Sequence, residues 1–166
     1  MSALANRPFA KMNGIGNEIV VVDLRDEKAP VTPDDARAVA SHVPYDQLML
    51  LQPARLPGTD AFVRIYNNDG SESGACGNGM RCVASQMFAG TDRNGLTFET
   101  RAGLLNCWRG PEAGLFTVDM GEPRFLPAEI PFLADEDVII HLLDVADETL
   151  ETSVVSMGNP HAVQVV

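Results

Sequence analysis

The sequence predicts an α+β fold in which short strands outnumber two helices. Three observations carry that expectation. Short β-branched or alternating apolar runs recur at residues 18–23 (EIVVVD), 48–51 and 61–66 (AFVRIY). Two segments repeat apolar residues at helical spacing behind clear start signals. From residue 96 onward, three strand-like runs follow one another across glycine turns in the manner of an antiparallel meander.

Each element has a local reason. The run at 18–23 reads as a buried strand. In Thr32-Pro33-Asp34-Asp35 the threonine caps, the proline suits a first turn, and the two acids meet the positive end of a helix dipole. Ala36, Val39, Ala40 and Val43 then form one helical face, and Pro44 stops the helix. Residues 48–51 read as another buried strand, and 61–66 as a strand with Ala61, Val63 and Ile65 on one side. The polar, glycine-rich stretch 67–79 (NNDGSESGACGNG) runs into a second helix with the stripe Met80, Val83, Ala84, Met87 and Phe88, ended by Gly90. The meander occupies 96–101, 104–109 and 115–120. Gly121-Glu122-Pro123 marks a boundary between residues 1–120 and 121–166. Beyond it, strands are predicted at 138–143, 154–157 and 161–166, with a turn at Gly158-Asn159-Pro160. The final AVQVV is a strand pattern without a stop signal, and 121–166 is short for an independent domain, so the chain reads as a fragment completed by further sequence.

Composition narrows the function classes. Apolar residues are 45 % and charged residues 21 %, which is globular rather than disordered. With 12 basic and 23 acidic side chains the formal charge is −11, so nucleic acid and anionic membrane surfaces are excluded as partners. No apolar run is long enough to span a bilayer, and MSALANRPFAKM lacks the apolar stretch of a signal peptide, so a soluble cytoplasmic protein is expected. The three cysteines are an odd set without C-x-x-C, the three histidines stand apart, and H-E-x-x-H is missing, so no metal is expected. Only Lys11 and Lys28 are present, neither in a glycine-rich loop, which argues against a pyridoxal phosphate Schiff base.

The chemistry concentrates in residues 66–82 (YNNDGSESGACGNGMRC). Cys76 falls just before the second helix, where unpaired backbone N–H groups and the helix dipole favour negative charge. A thiol there is expected to have a lowered pKa and a useful thiolate fraction. Gly77 and Gly79 flank Asn78 and let a ligand approach the backbone, and the same N–H groups suit a carboxylate or phosphate. The bland alternative is a small residue in a tight turn. The loop lacks the Lys-Ser/Thr of a P-loop and does not match G-x-G-x-x-G. Cys82 lies about 9 Å further along the helix and about 240° around it, so it faces the core. Cys107, beside Trp108, reads as strand packing. Asn13-Gly14-Ile15-Gly16-Asn17 is a second polar glycine loop, in which Asn17 either presents its amide to a ligand or sits in an ordinary turn. Asp46-Gln47 is a weaker case of the same kind, and a lone His161 is more often structural than catalytic.

Taken together, KMNGIGNEIVVVD (11–23), YDQLML (45–50), YNNDGSESGACGNGMRC (66–82), AGLLNCW (102–108), VDMGEP (118–123) and SMGNPHAV (156–163) resemble the bacterial diaminopimelate epimerases, with all six blocks in the family's order. The resemblance implies two similar halves, each a strongly curved, mainly antiparallel sheet around a central helix, with one complete half here plus the start of a second. It implies interconversion of LL- and meso-2,6-diaminopimelate, in lysine and peptidoglycan precursor synthesis, without a cofactor. Cys76 matches one of two acid/base thiols. Asn17, Gln47, Asn67, Gly77, Asn78 and Asn159 match substrate-binding positions, while His161 and Pro160 match groups that support the site. The implied partner is a small amino-acid substrate, and a homodimer of the full-length protein is compatible with the resemblance. The sequence departs from the family in having no second C-G-[SN]-G loop, and Cys82 and Cys107 do not stand in for it. The chain alone is therefore expected to be inactive. The alternatives are a racemase of another amino acid on the same fold, and a non-catalytic ligand-binding half-module.

Overall fold

The computed structural model of the chain describes residues 4–134 and 138–166. Strand β1 (Phe9–Gly14) turns through Ile15 and Gly16, both at positive φ, into β2 (Asn17–Asp23). That pair of left-handed residues is what a tight hairpin requires. β1 was not expected as a strand: FAKMNG carries little apolar alternation, and its extended form comes from pairing with β2 from Phe9↔Val22 to Gly14↔Asn17.

Helix α1 (Pro33–His42) carries the chain from β2 to β3 (Gln47–Gln52), which pairs with β2 in parallel. Thr32 caps α1 as expected, accepting from the Asp35 N–H at 3.2 Å while Asp35 accepts from the Thr32 N–H at 2.8 Å. β4 (Ala61–Asn67) lies antiparallel to β3, and the two-residue β5 (Glu72–Ser73) folds back on it. Helix α2 (Gly77–Phe88) then crosses to β6 (Gly95–Thr100), which meets β4 in parallel and opens the expected meander through β7 (Gly103–Arg109) and β8 (Phe116–Asp119). The sheet is thus mixed. Its two parallel pairings, β2–β3 and β4–β6, are the ones joined by helix-containing crossovers, since parallel strands cannot be joined by a short turn.

The sheet buries both faces over β2–β4. Ile19, Val21, Met49, Leu51, Val63 and Ile65 pack with Met80, Val83, Ala84 and Phe88 of α2. Val20, Val22, Leu48, Leu50 and Tyr66 face Ala36 of α1 and Tyr45. Burial from two sides explains why EIVVVD and QLMLLQ are continuous apolar runs instead of alternating ones. The far end of α2 is closed by Arg109, whose guanidinium donates to the carbonyls of Phe88 and Thr91 at 2.8 Å and lies over the Phe88 ring.

Residues Met1–Met120 and Gly121–Val166 form two compact units. In the second, β9 (His141–Val145), β10 (Glu148–Ser156) and β11 (Pro160–Val163) form an antiparallel sheet in the order β11-β10-β9. Arg124 bridges to Ser156. The strand expected at 138–143 begins instead at His141, because its partner Thr152 sets that register, and Val138, Ile139 and Ile140 precede it exposed. β10 reaches back to Glu148, well before the expected residue 154, through pairing with β9, and β11 ends at Val163. The turn expected at Gly158-Asn159-Pro160 gives up its proline to β11. No described helix is long and apolar enough to cross a membrane.

Two predictions follow from this packing. Phe88→Ala should lower unfolding stability by about 3–5 kcal/mol, measured by urea denaturation. The Tyr45 and Tyr66 hydroxyls donate to the carbonyls of Ala36 and Val31 at 2.8 and 2.9 Å, and burial pushes both phenols up to about 12. The folded state then holds these protons more tightly than the unfolded chain, so their contribution is complete below about pH 10 and is lost as pH rises through about 12. Unfolding midpoints should fall between about pH 10 and about pH 12, and fall less in Tyr45→Phe.

Candidate active site

The sheet brings three of the sequence-identified amides to one end. Asn17 begins β2, Gln47 begins β3 and pairs with Asn67 at the close of β4. The segment after Asn67 turns back as β5 and delivers the start of α2 to the same end. Asn67 itself closes that turn: its N–H donates to the Ser71 carbonyl at 2.8 Å and its side-chain NH2 to Ser71 Oγ at 3.0 Å.

Cys76 is the N-cap of α2, in extended conformation. Its Sγ accepts from the Gly79 N–H at 3.3 Å, and its S–H faces Gln47 Oε1 at 3.6 Å. Asn78 Nδ2 donates to Asn17 Oδ1 at 2.6 Å. Among the described residues the Gly77 N–H has no acceptor, as befits the first turn of a helix. Asn17, Gln47, Cys76, Gly77 and Asn78 are therefore brought together. Asn159, Pro160 and His161 belong to the second unit, where the Asn159 and His161 side chains meet at 3.1 Å and Pro160 opens β11.

Two glycines permit this arrangement. A Cβ on Gly14 would stand 2.9 Å from the Asn78 carbonyl oxygen, so the β1–β2 hairpin reaches the helix only with glycine there. A Cβ on Gly79 would stand 2.6 Å from Met49 Sδ and 3.3 Å from Cys76 Sγ.

The electrostatics correct one expectation. Burial pushes the half-buried Cys76 thiol up, and this outweighs the Gly79 and Asn78 amides and the Arg81 guanidinium, which pull it down. The helix end acts as anticipated, yet the Gln47 carbonyl oxygen facing the S–H also favours the protonated form. Cys82 and Cys107 are buried in the core, and burial drives Cys107 up to about 12. Lys11 pairs with Glu18 at 3.1 Å on the hairpin. Among the described residues no cluster of His, Cys, Asp or Glu is arranged to hold a metal ion.

Two participants were missed. Arg81 bonds Asn78 Oδ1, and the spacing Asn-x-x-Arg at a helix start was the available signal. Glu72 is clamped between Arg64 and Arg101, the latter at 2.5 Å, and Arg64 also donates to the Val31 carbonyl at 2.9 Å. This clamp anchors β5 ahead of Cys76, and residues so far apart in sequence gave no sign of it.

Solved structures place this architecture in a class. A probable proline racemase from Agrobacterium radiobacter K84 matches with a TM-score of 0.68 at 16 % identity, covering 94 % of this chain and 51 % of that one. A hydroxyproline epimerase from Agrobacterium vitis matches at 0.62 and 17 %, covering 94 % and 50 %. The fold is the one shared by these racemases and epimerases. Within it, the Diaminopimelate epimerase family pattern matches residues 9–126. Diaminopimelate epimerases of Rhodopseudomonas palustris (strain TIE-1) and Bradyrhizobium sp. (strain BTAi1) are 75 % and 64 % identical over 98 % of this chain. The chain belongs to the diaminopimelate epimerase family. It spans 57 % and 58 % of the length of those two relatives.

In the native chain, a small alkylating reagent is expected to modify Cys76 alone, with Cys82 and Cys107 reacting only in denaturant, as peptide mapping would show. The alkylation rate should rise with pH, with a midpoint above that of an ordinary cysteine thiol.

Proposed function

We propose that this chain supplies the Cys76 side of a cofactor-independent epimerase acting on LL- and meso-2,6-diaminopimelate, a step toward lysine and peptidoglycan precursors in the cytoplasm. The observation that carries the reading is Cys76 Sγ held at the mouth of α2 among the amides of Asn17, Gln47 and Asn78. In this reading the substrate α-carboxylate sits on the open Gly77 N–H and the Asn17 and Asn78 amides, with its α-hydrogen toward Cys76. As that hydrogen leaves, charge grows on the carboxylate oxygens, and donors fixed by the helix end stabilise it without reorganising. The α-ammonium group beside the thiol would lower its pKa on binding, offsetting the burial that keeps it protonated in the free site. Gln47 and Asn67 are assigned to the remaining polar groups of the substrate, and within the second unit Pro160 and His161 to supporting the turn that carries Asn159.

Epimerisation also needs a proton delivered to the opposite face. Cys82 and Cys107 lie in the core and are not assigned that role. Incubated with LL-diaminopimelate in D2O, the 166-residue chain is expected to leave the stereochemistry unchanged. Inversion to the meso form by the pure chain would overturn the two-thiol reading. In a chain of the relatives' full length, Cys76→Ala should lower kcat by about 10²–10⁴. A loss below about tenfold would remove Cys76 from acid–base chemistry. Proline serves as the control substrate, since turnover of proline in place of diaminopimelate would favour a racemase of another amino acid on this fold.

A further inference from the structure

Arg81 lies in the first turns of α2 and donates its guanidinium to Asn78 Oδ1. A guanidinium has donors and no acceptor, so the Asn78 atom that faces it has to be the oxygen. The Asn78 NH2 is thereby turned the other way, where Nδ2 donates to Asn17 Oδ1 at 2.6 Å. Asn17 is engaged through its oxygen, which leaves its own NH2 free of Asn78. The order Arg81→Asn78→Asn17 has one direction, set at its origin by a group that cannot accept. Among the described residues neither amide has another side-chain partner that would fix its orientation, and Arg81 has no acidic partner to draw it away.

We propose that Arg81 is a positioning residue that sets the donor face of Asn17 and Asn78 beside Cys76, so that this end of the site takes a carboxylate and not an ammonium group. The ligand's identity rests on the substrate reading above; the amide orientation does not. Without Arg81 the Asn78 amide is free to flip, and a flip at Asn78 drives one at Asn17, replacing donors with acceptors toward the ligand.

The test uses the 15N-labelled 166-residue chain and follows the side-chain NH2 signals of Asn17 and Asn78. Arg81→Met is expected to displace both signals, including that of Asn17, which does not touch Arg81, with Tm close to the unchanged chain. Arg81→Lys keeps a donor and should return the Asn17 signal to its place. In the same titrations, LL-diaminopimelate should bind Arg81→Met about tenfold more weakly, with Arg81→Lys recovering most of the loss. An Asn17 signal unmoved in Arg81→Met overturns the relay, as does equal displacement by Lys and Met. Signals that move as expected in a chain that does not bind diaminopimelate support the relay and count against the substrate reading instead.

Discussion

The site depends on how α2 is seated in the sheet. Met80, Val83, Ala84 and Phe88 bury one stripe of the helix against β2, β3 and β4, and the burial of each large side chain is worth about 1.5–3 kcal/mol. The register of that contact is narrow. Gly79 lies against Met49 so closely that a methyl group would collide with its sulfur, and Gly14 approaches the Asn78 carbonyl equally tightly. Arg109 closes the opposite end of the helix over Phe88. The same packing that fills the core thus decides where the first turn of α2 emerges, and so where Cys76 and Asn78 stand relative to Asn17 and Gln47.

At that end, two effects of the same geometry oppose each other. The helix terminus offers N–H groups that favour a thiolate, while the enclosure that aims them removes water from the sulfur and favours the thiol. Burial prevails in the free site. The thiol is therefore the favoured form of Cys76 while the site holds no ligand, and a cationic group placed beside it would shift the balance the other way. The Glu72 clamp has a related part, since pinning β5 between Arg64 and Arg101 limits how far the segment leading to Cys76 can move.

Much of this was legible in the chain. Thr32-Pro33-Asp34-Asp35 announced α1 because capping is a local interaction. Cys76 before a glycine-flanked run announced the N-terminus of α2 for the same reason. β1 and β5 were not legible, because neither FAKMNG nor a Glu-Ser pair has a pattern of its own and each is extended only through a partner strand. The apolar run VIIHLL suggested a strand three residues too early, since the pairing of His141 with Thr152, and not hydrophobicity, sets where β9 begins. The clamp on Glu72 was not legible because its partners are decided in space, whereas the bond from Arg81 to Asn78 spans one helical turn and is local.

The sequence by itself determined the α+β class, both helices with their caps, the meander, the burial of Cys82 and Cys107, and the place of Cys76 at the start of α2. These rest on periodicity, turn residues and helix termini, which act over a few positions. The tertiary structure decided that the sheet is mixed, that Asn17, Gln47 and Asn78 converge on one thiol, and that the thiol is raised and not lowered. It decided these because strand order, close approach at a glycine and the removal of water are properties of neighbours in space, and no local pattern encodes them.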